Sequence, residues 1–448
     1  MPVSPARAAA FDILLRVERE SSYASELLHS AGYERLSVPD HALATELVMG
    51  VLRWRSRLDE EIARASTAPL SKVDLEVLIS LRIAVYQFGW LDRIPKHAAL
   101  NESVELVKRA RKRSAAGFVN AVLRKLAASH SATSTPIDES SSAESLAHVF
   151  AHPLWIVERW VNQYGIAAAK QICEYDQSVP AAAIRLRTPG AERELLDEQV
   201  TLAGGAFMSS ARRVLAGDIT KTNAFRARDV VIQDEASQLV AALVGNGEKI
   251  LDCCAAPGGK TLAIADCNPA TSIVAVEVHP HRARLMRQLM QTSVATKRAI
   301  EVIAADAGTL PIRSQFDRVL VDVPCSGTGT IARNPEIKWR LRLEDLPDLH
   351  TRQAAILRSA LTHLESGGRV VYSTCSLERE ENEDVVEEIL SENSAIRVVD
   401  CRTELDRLKV AGELVWHDLD SLLRGPYLRT IPRIHPCDGF FAAILERT

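Results

Sequence analysis

Apolar residues recur every three or four positions in three early stretches of this chain. These are Ala8-Ala-Ala-Phe-Asp-Ile-Leu-Leu-Arg-Val17, Leu43-Ala-Thr-Glu-Leu-Val-Met-Gly-Val-Leu52 and Leu75-Glu-Val-Leu-Ile-Ser-Leu-Arg-Ile-Ala-Val-Tyr86. That spacing lays the apolar side chains along one face of a helix, so residues 4–128 are expected to be all-helical. Pro39-Asp40, Ala68-Pro69-Leu70-Ser71 and Ile94-Pro95 separate the helices, with Ser71 or Asp74 available to cap the third. The run from Ala127 to Ser145 is crowded with Ser, Thr and Ala and holds Pro136, the composition of a linker.

Beyond it the periodicity is mixed. His152-Pro-Leu-Trp-Ile-Val-Glu-Arg-Trp-Val161 reads as helix, and Ala181-Ala-Ala-Ile-Arg-Leu-Arg187 alternates like a strand that turns at Thr188-Pro-Gly190. From about residue 233 the pattern becomes strands alternating with helices, the signature of a doubly wound parallel sheet. The expected strands are Lys249–Cys253, Ser272–Glu277, Glu301–Asp306, Phe316–Asp322 and Gly368–Ser373, with a last one at Gly439–Leu445. The fold class is therefore multidomain. An all-α domain (1–130) and a linker (131–147) precede a small α+β connecting domain (148–232) and an α/β Rossmann-like domain (233–448).

Composition narrows the class of protein. Hydrophobic content of 47% with 25% charged residues excludes extensive disorder. No apolar run reaches the ~18 residues of a membrane span, and the start Met1-Pro-Val-Ser-Pro5 lacks a signal pattern, so a cytoplasmic protein with no membrane partner is expected. Eight cysteines without a Cys-x-x-Cys pair read as thiols, with neither a disulfide set nor a metal site. Net charge is -4, but residues 1–130 hold 19 Lys+Arg against 15 Asp+Glu, hence +4, leaving -8 for the rest. Within the positive part Lys108-Arg-Ala-Arg-Lys-Arg113 puts five cations in six positions, able to neutralise phosphates or simply to line a solvated helix face.

The chemistry gathers at the carboxyl ends of the expected strands. The first ends in Asp252-Cys-Cys-Ala-Ala-Pro-Gly-Gly-Lys260, where small residues let the backbone approach a ligand. Neither the dinucleotide nor the phosphate-loop spacing is present, which argues against NAD and ATP. Glu277 ends the second strand, where an acid can accept both ribose hydroxyls, and Asp306 ends the third, beside an adenine edge. A ribose and an adenine without phosphates suit S-adenosylmethionine. The fourth strand delivers Asp322-Val-Pro-Cys-Ser-Gly-Thr-Gly329 and the fifth Tyr372-Ser-Thr-Cys-Ser376, each presenting a thiol on the ligand face. An acid-rich helix from Leu377 to Leu390 would place its N-terminus near Cys375, and such an end favours the nucleophilic thiolate. A free cysteine is otherwise a small buried hydrophobe, the reading for Cys173, Cys267 and Cys401.

Ala255-Ala-Pro-Gly-Gly-Lys260, Asp322–Thr330 and Ser373-Thr-Cys-Ser376 resemble the RsmB/NOP family of RNA cytosine-C5 methyltransferases. The N-terminal stretch, with Glu46–Trp54 and Gly117–Arg124, is similar to the NusB-type RNA-binding helical domain. The resemblance implies S-adenosylmethionine as cofactor and 16S ribosomal RNA as partner, with a monomer acting on cytosine 967. It implies that Cys375 adds to C6 of the base and that Cys325 assists product release. Cys254, Ala255, Ala256, Pro257, Gly258, Gly259 and Lys260 would hold the cofactor with Glu277, Asp306 and Asp322. Lys260 and Asp322 would also touch the cytosine. Two positions depart from the family: Glu277 where Asp is usual, and Cys437 where His is usual. An RNA-binding factor without catalysis would have no use for the cradle and thiols. An amino-methyltransferase would carry Asn/Asp-Pro-Pro-Tyr/Phe where this chain has Asp322-Val-Pro-Cys325.

Overall fold

The computed structural model describes residues 3–448 apart from 21, 31, 34, 130–141, 270 and 292–299. Most of the expected linker lies outside the described residues. The chain divides into two compact units, residues 1–179 with 331–341, and residues 180–330 with 342–448.

The first unit is helical. Its helices are α1 (Pro5–Glu20), α2 (Ala24–Leu28), α3 (Val38–Ala65), α4 (Leu75–Trp90), α5 (Lys96–Arg109), α6 (Ala116–Ser129), α7 (Ala143–Val149), α8 (Leu154–Tyr164) and α9 (Ile166–Asp176). Ser37 starts α3 by accepting the Asp40 N–H at 3.2 Å, with Pro39 in the first turn where its missing donor costs nothing. Asp74 stands at the N-cap of α4 without a side-chain bond to the helix. Helix α4 is buried from Val77 to Phe88 on nearly every side, which is where an all-round apolar helix must go. Its one deep cation, Arg82, is held by both oxygens of Asp59 at 2.7 and 2.8 Å.

A short segment from far along the chain, Ile331–Leu341, also belongs to this unit. Its anchors are polar. Glu336 accepts the Ala24 N–H at 2.8 Å, Trp339 Nε1 donates to the Leu52 carbonyl at 2.6 Å, and Arg53 donates to the Ala332 carbonyl at 3.0 Å. Lys338 is 1% exposed, donates to the carbonyls of Arg53 and Ala151 at 2.9 Å each, and burial lowers its pKa to about 7.

The second unit carries two sheets. In the smaller, β1 (Ala182–Leu186), β2 (Thr201–Gly204), β3 (Ala211–Ala216) and β4 (Val230–Ile232) pair antiparallel in the order β2-β3-β1-β4. Ile184, Leu195, Val200, Ile219 and Val230 form its core with the helices Ala191–Asp197 and Asn223–Ala227.

The larger sheet contains β5 (Lys249–Asp252), β6 (Ser272–Glu277), β7 (Ile300–Ala304), β8 (Phe316–Asp322), β9 (Leu364–Thr374), β10 (Ile396–Val399), β11 (Leu423–Arg424), β12 (Tyr427–Thr430) and β13 (Phe440–Arg447). Strands β7-β6-β5-β8-β9 are parallel in that order, and β13 runs antiparallel beside β9. Strand order therefore reverses at the β5/β8 boundary, the crevice where open α/β sheets bind ligands. The central strands are buried on both faces (Ile250, Leu251, Val319, Leu320, Val321, Val370, Val371), which explains their unbroken apolar runs. The expected β6 and β8 coincide with the observed ones. Strand β7 ends two residues early, at Ala304, so Asp306 lies past the strand, where it caps the turn Ala307–Thr309 through a 2.8 Å bond from Gly308 N–H.

Candidate active site

At the end of β5 the chain turns through Cys253–Gly258 into the helix Gly259–Cys267. The turn is tied to the sheet by Ala255, which is buried and donates its N–H to the Val276 carbonyl at 2.8 Å. Ala256 and Pro257 cross to Gly258, whose φ of +107° is one that glycine adopts without strain. Gly259 then opens the helix, and no side chain of its N-cap residue Gly258 satisfies the first-turn N–H groups. Beneath the turn, Asp252 is 1% exposed and accepts from Thr261 Oγ1 at 2.6 Å, while burial pushes its pKa up to about 7. Its other oxygen, Oδ1, is buried as well. Burial likewise pushes the Cys254 thiol well up.

The acids stand in sequence along the same edge. Glu277, 6% exposed at the end of β6, accepts from His279 N–H and Nδ1 at 2.8 and 2.9 Å, both through Oε1. Its second oxygen can accept from a ligand. Asp306 is exposed and engaged in its cap. Asp322 ends β8 and is bound from two sides, by Lys260 Nζ at 2.8 Å and Ser373 Oγ at 2.7 Å. Burial works against the charge on Lys260, but Asp322 outweighs it and the lysine pKa is raised. The ammonium also lies 5.0 Å from the centre of the Phe440 ring.

The two thiols meet. Cys325 Sγ and Cys375 Sγ are 3.3 Å apart, far beyond a disulfide bond of ~2.05 Å, and both side chains are partly exposed. Parallel pairing of β8 with β9 sets Asp322 opposite Ser373. Cys325 follows three residues after the first and Cys375 two after the second, so the loops converge over one spot. The bond to Cys375, followed by burial and the charge of Glu381, pushes the Cys325 thiol well up. Lys260 stands close enough to Cys375 to interact electrostatically with it.

One expectation fails here. Residues 377–382 do not continue a helix; a short turn, Arg379–Glu381, precedes the helix Glu383–Glu392. The reason is that Glu381 and Asn382 point inward. Asn382 donates to the Ser376 carbonyl at 3.0 Å, and its carbonyl oxygen accepts from Thr374 Oγ1 at 2.5 Å. Hydrogen bonds from this turn, rather than a helix end directly after the thiol, shape the Cys375 loop. Sequence reasoning gave no role to Ser326, Gln353, Ser376 or Glu381, which pack behind the thiols; the signal for the two serines was their place directly after each cysteine, and Gln353 carried none. Cys437 is 1% exposed within the apolar core.

The site fits S-adenosylmethionine on its own chemistry: a small-residue turn at the strand-order reversal, an acid with an oxygen to spare on the next strand, and no phosphate loop. Among the described residues there is no cluster of His, Cys, Asp or Glu able to hold a metal, and no helix long and apolar enough to cross a membrane. Sheet and edge define an S-adenosylmethionine-dependent methyltransferase. The chain belongs to the RsmB/F family of 16S rRNA methyltransferases: residues 240–446 match that family and residues 4–128 match the NusB family. The probable ribosomal RNA small subunit methyltransferase B of Bacillus subtilis (strain 168) is 33% identical over 100% of both chains. The ribosomal RNA small subunit methyltransferase B of Vibrio vulnificus (strain YJ016) is 31% identical over 98% of this chain and 99% of its own. The crystal structure of PH0851 shares the fold, with a TM-score of 0.79 at 21% identity and 100% of both chains covered.

Proposed function

We propose that this enzyme methylates C5 of one cytosine in 16S ribosomal RNA, cytosine 967 by the family resemblance, through a transient bond between Cys375 and C6. The observation that carries the reading is the 3.3 Å contact between the two sulfurs beside the Lys260–Asp322 pair. In this reading the Cys375 thiolate adds to C6 and electron density moves to C5, which forms the new carbon–carbon bond. The cofactor, when bound, supplies an electrophilic methyl group. A base then removes the C5 proton, the C5–C6 double bond re-forms and the sulfur is expelled, with Cys325 assisting release. Lys260 and Asp322 contact the cytosine while Cys254–Lys260, Glu277, Asp306 and Asp322 hold the cofactor. Holding donor and acceptor in line is worth about 7–11 kcal/mol in well-oriented systems.

The base must leave its stack to reach a thiol, so a loop or flipped nucleotide is the substrate. The helical unit supplies RNA affinity in this reading. Of its basic run, Lys108, Arg109 and Lys112 are paired with Glu105, Asp12 and Asp74, while Arg111 and Arg113 are exposed for phosphates. Such binding weakens as salt rises. The expected setting is the cytoplasm, where ribosomal RNA is made.

The test uses two variants on 16S RNA transcripts. Cys375→Ala is expected to abolish methyl transfer, and Cys325→Ala to accumulate a protein–RNA adduct that survives denaturing gels. Normal turnover by Cys325→Ala would overturn the assignment. Bisulfite mapping of ribosomal RNA from cells with and without the enzyme locates the base.

A further inference from the structure

Behind the two thiols lies a carboxylate without a counter-ion. Glu381 is 0% exposed, and among the described residues no Lys, Arg or His pairs with it. Its oxygens are satisfied by four donors. Oε1 accepts from Ser326 N–H and from Gln353 Nε2, each at 2.8 Å. Oε2 accepts from the hydroxyls of Ser326 and Ser376, the latter at 2.5 Å. Ser326 follows Cys325 and Ser376 follows Cys375, and the two hydroxyls are 3.0 Å apart. One buried side chain thus binds the residue after each thiol, from loops 50 positions apart in sequence. Burying a carboxylate this way is costly unless every oxygen is hydrogen-bonded, so a simpler core would omit it.

Glu381 acts on Cys325, which also faces Cys375 and the neighbouring Tyr372 phenol; Lys260, paired with Asp322, acts on Cys375. We propose that Glu381 is a positioning residue that clamps the Cys325 and Cys375 loops together through Ser326 and Ser376, and that its charge leaves Cys375 as the reactive sulfur of the pair. This rests on the reading of Cys375 as nucleophile and adds what selects it.

Alkylation by iodoacetamide tests it without RNA or cofactor: a thiolate displaces iodide, and peptide mass spectrometry reads each cysteine separately. In the wild type, Cys375 is expected to react about tenfold faster than Cys325. Glu381→Ala should reduce that ratio to near one, and lower kcat about 100-fold with KM for RNA changed less than about threefold, the signature of misplaced reacting groups. Glu381→Gln keeps an acceptor for Ser326 N–H and Gln353, and its amide can donate to hydroxyls that rotate to accept. It should therefore keep kcat within about tenfold of the wild type while still lowering the alkylation ratio, because geometry survives and charge does not. Should Glu381→Ala fail to fold, a Ser326→Ala/Ser376→Ala variant removes the hydroxyl contacts and should lower kcat in the same direction. A wild-type alkylation ratio in Glu381→Gln, or wild-type kcat in the double serine variant, would overturn the proposal. Failure of the covalent reading itself appears differently, as Cys375→Ala retaining methyl transfer.

Discussion

Gly329 tests how closely the thiol loops must approach. A Cβ placed there would lie 2.1 Å from the carbonyl oxygen of Gly439 and 2.7 Å from its carbonyl carbon, where real Cβ contacts stay beyond 3.0 Å. Both are backbone atoms, so no side-chain rotation relieves the clash. Clearing 3.0 from 2.1 Å demands a shift of 0.9 Å between the Cys325 loop and the start of β13. Gly329 also donates its N–H to the Cys375 carbonyl at 2.9 Å and accepts from Gly439 N–H at 2.8 Å. Gly329→Ala therefore strains these two bonds between the loop and its neighbours, each worth ~1 kcal/mol. A displacement near 1 Å of reacting groups costs about 100-fold in rate, or ~2.7 kcal/mol in the barrier. The assay is single-turnover transfer of tritiated methyl from S-adenosylmethionine to a 16S RNA transcript, with urea unfolding in parallel. Gly190→Ala is the control, since nothing lies within 4 Å of a Cβ there. Gly329→Ala with a rate within about threefold of wild type and an unchanged unfolding midpoint would refute the reasoning.

Two further outcomes are expected, both read by urea unfolding. Buried His435 accepts the Ile431 N–H through Nδ1 at 2.9 Å, and burial lowers its pKa from 6.5 to about 4. A depressed pKa means that the fold prefers the neutral ring, so this stability is complete above pH 6.5 and is lost as pH falls toward 4, by roughly 3 kcal/mol in all. The stability gap between wild type and His435→Gln should therefore narrow across that window; a gap constant with pH would show that the ring does not titrate as argued. In the helical unit, a Cβ on Gly50 would fall 2.0 Å from Tyr86 Cζ. Gly50→Ala must push the ring off its 2.5 Å bond to Glu46 and its stack on Trp90, destabilising the unit by about 2–3 kcal/mol. A loss below ~0.5 kcal/mol would show that the ring moves freely.

Much of the site was legible before the structure because each part is local. The turn after β5 announced itself by small residues and glycines, and the acid ending β6 followed from strand alternation. Both β6 and β8 fell where periodicity put them. Asp306 reads as a strand end because Val302–Ala305 is apolar up to it; a carboxylate that can cap Gly308 N–H ends the pairing sooner. The acid-rich run after Cys375 reads as helix by composition, yet Glu381 and Asn382 found better partners inside the loop.

From the residues themselves came the helical N-terminal part, the parallel sheet, the small-residue turn after β5 and two thiols at the carboxyl edge of the sheet, since these depend on spacing within a few residues. The tertiary structure alone decided that Cys325 and Cys375 touch, that Glu381 binds the serine after each, and that Ile331–Leu341 is drawn into the helical unit. Those contacts join positions separated by tens to hundreds of residues, and their geometry depends on strand register and core packing, which short-range periodicity does not encode.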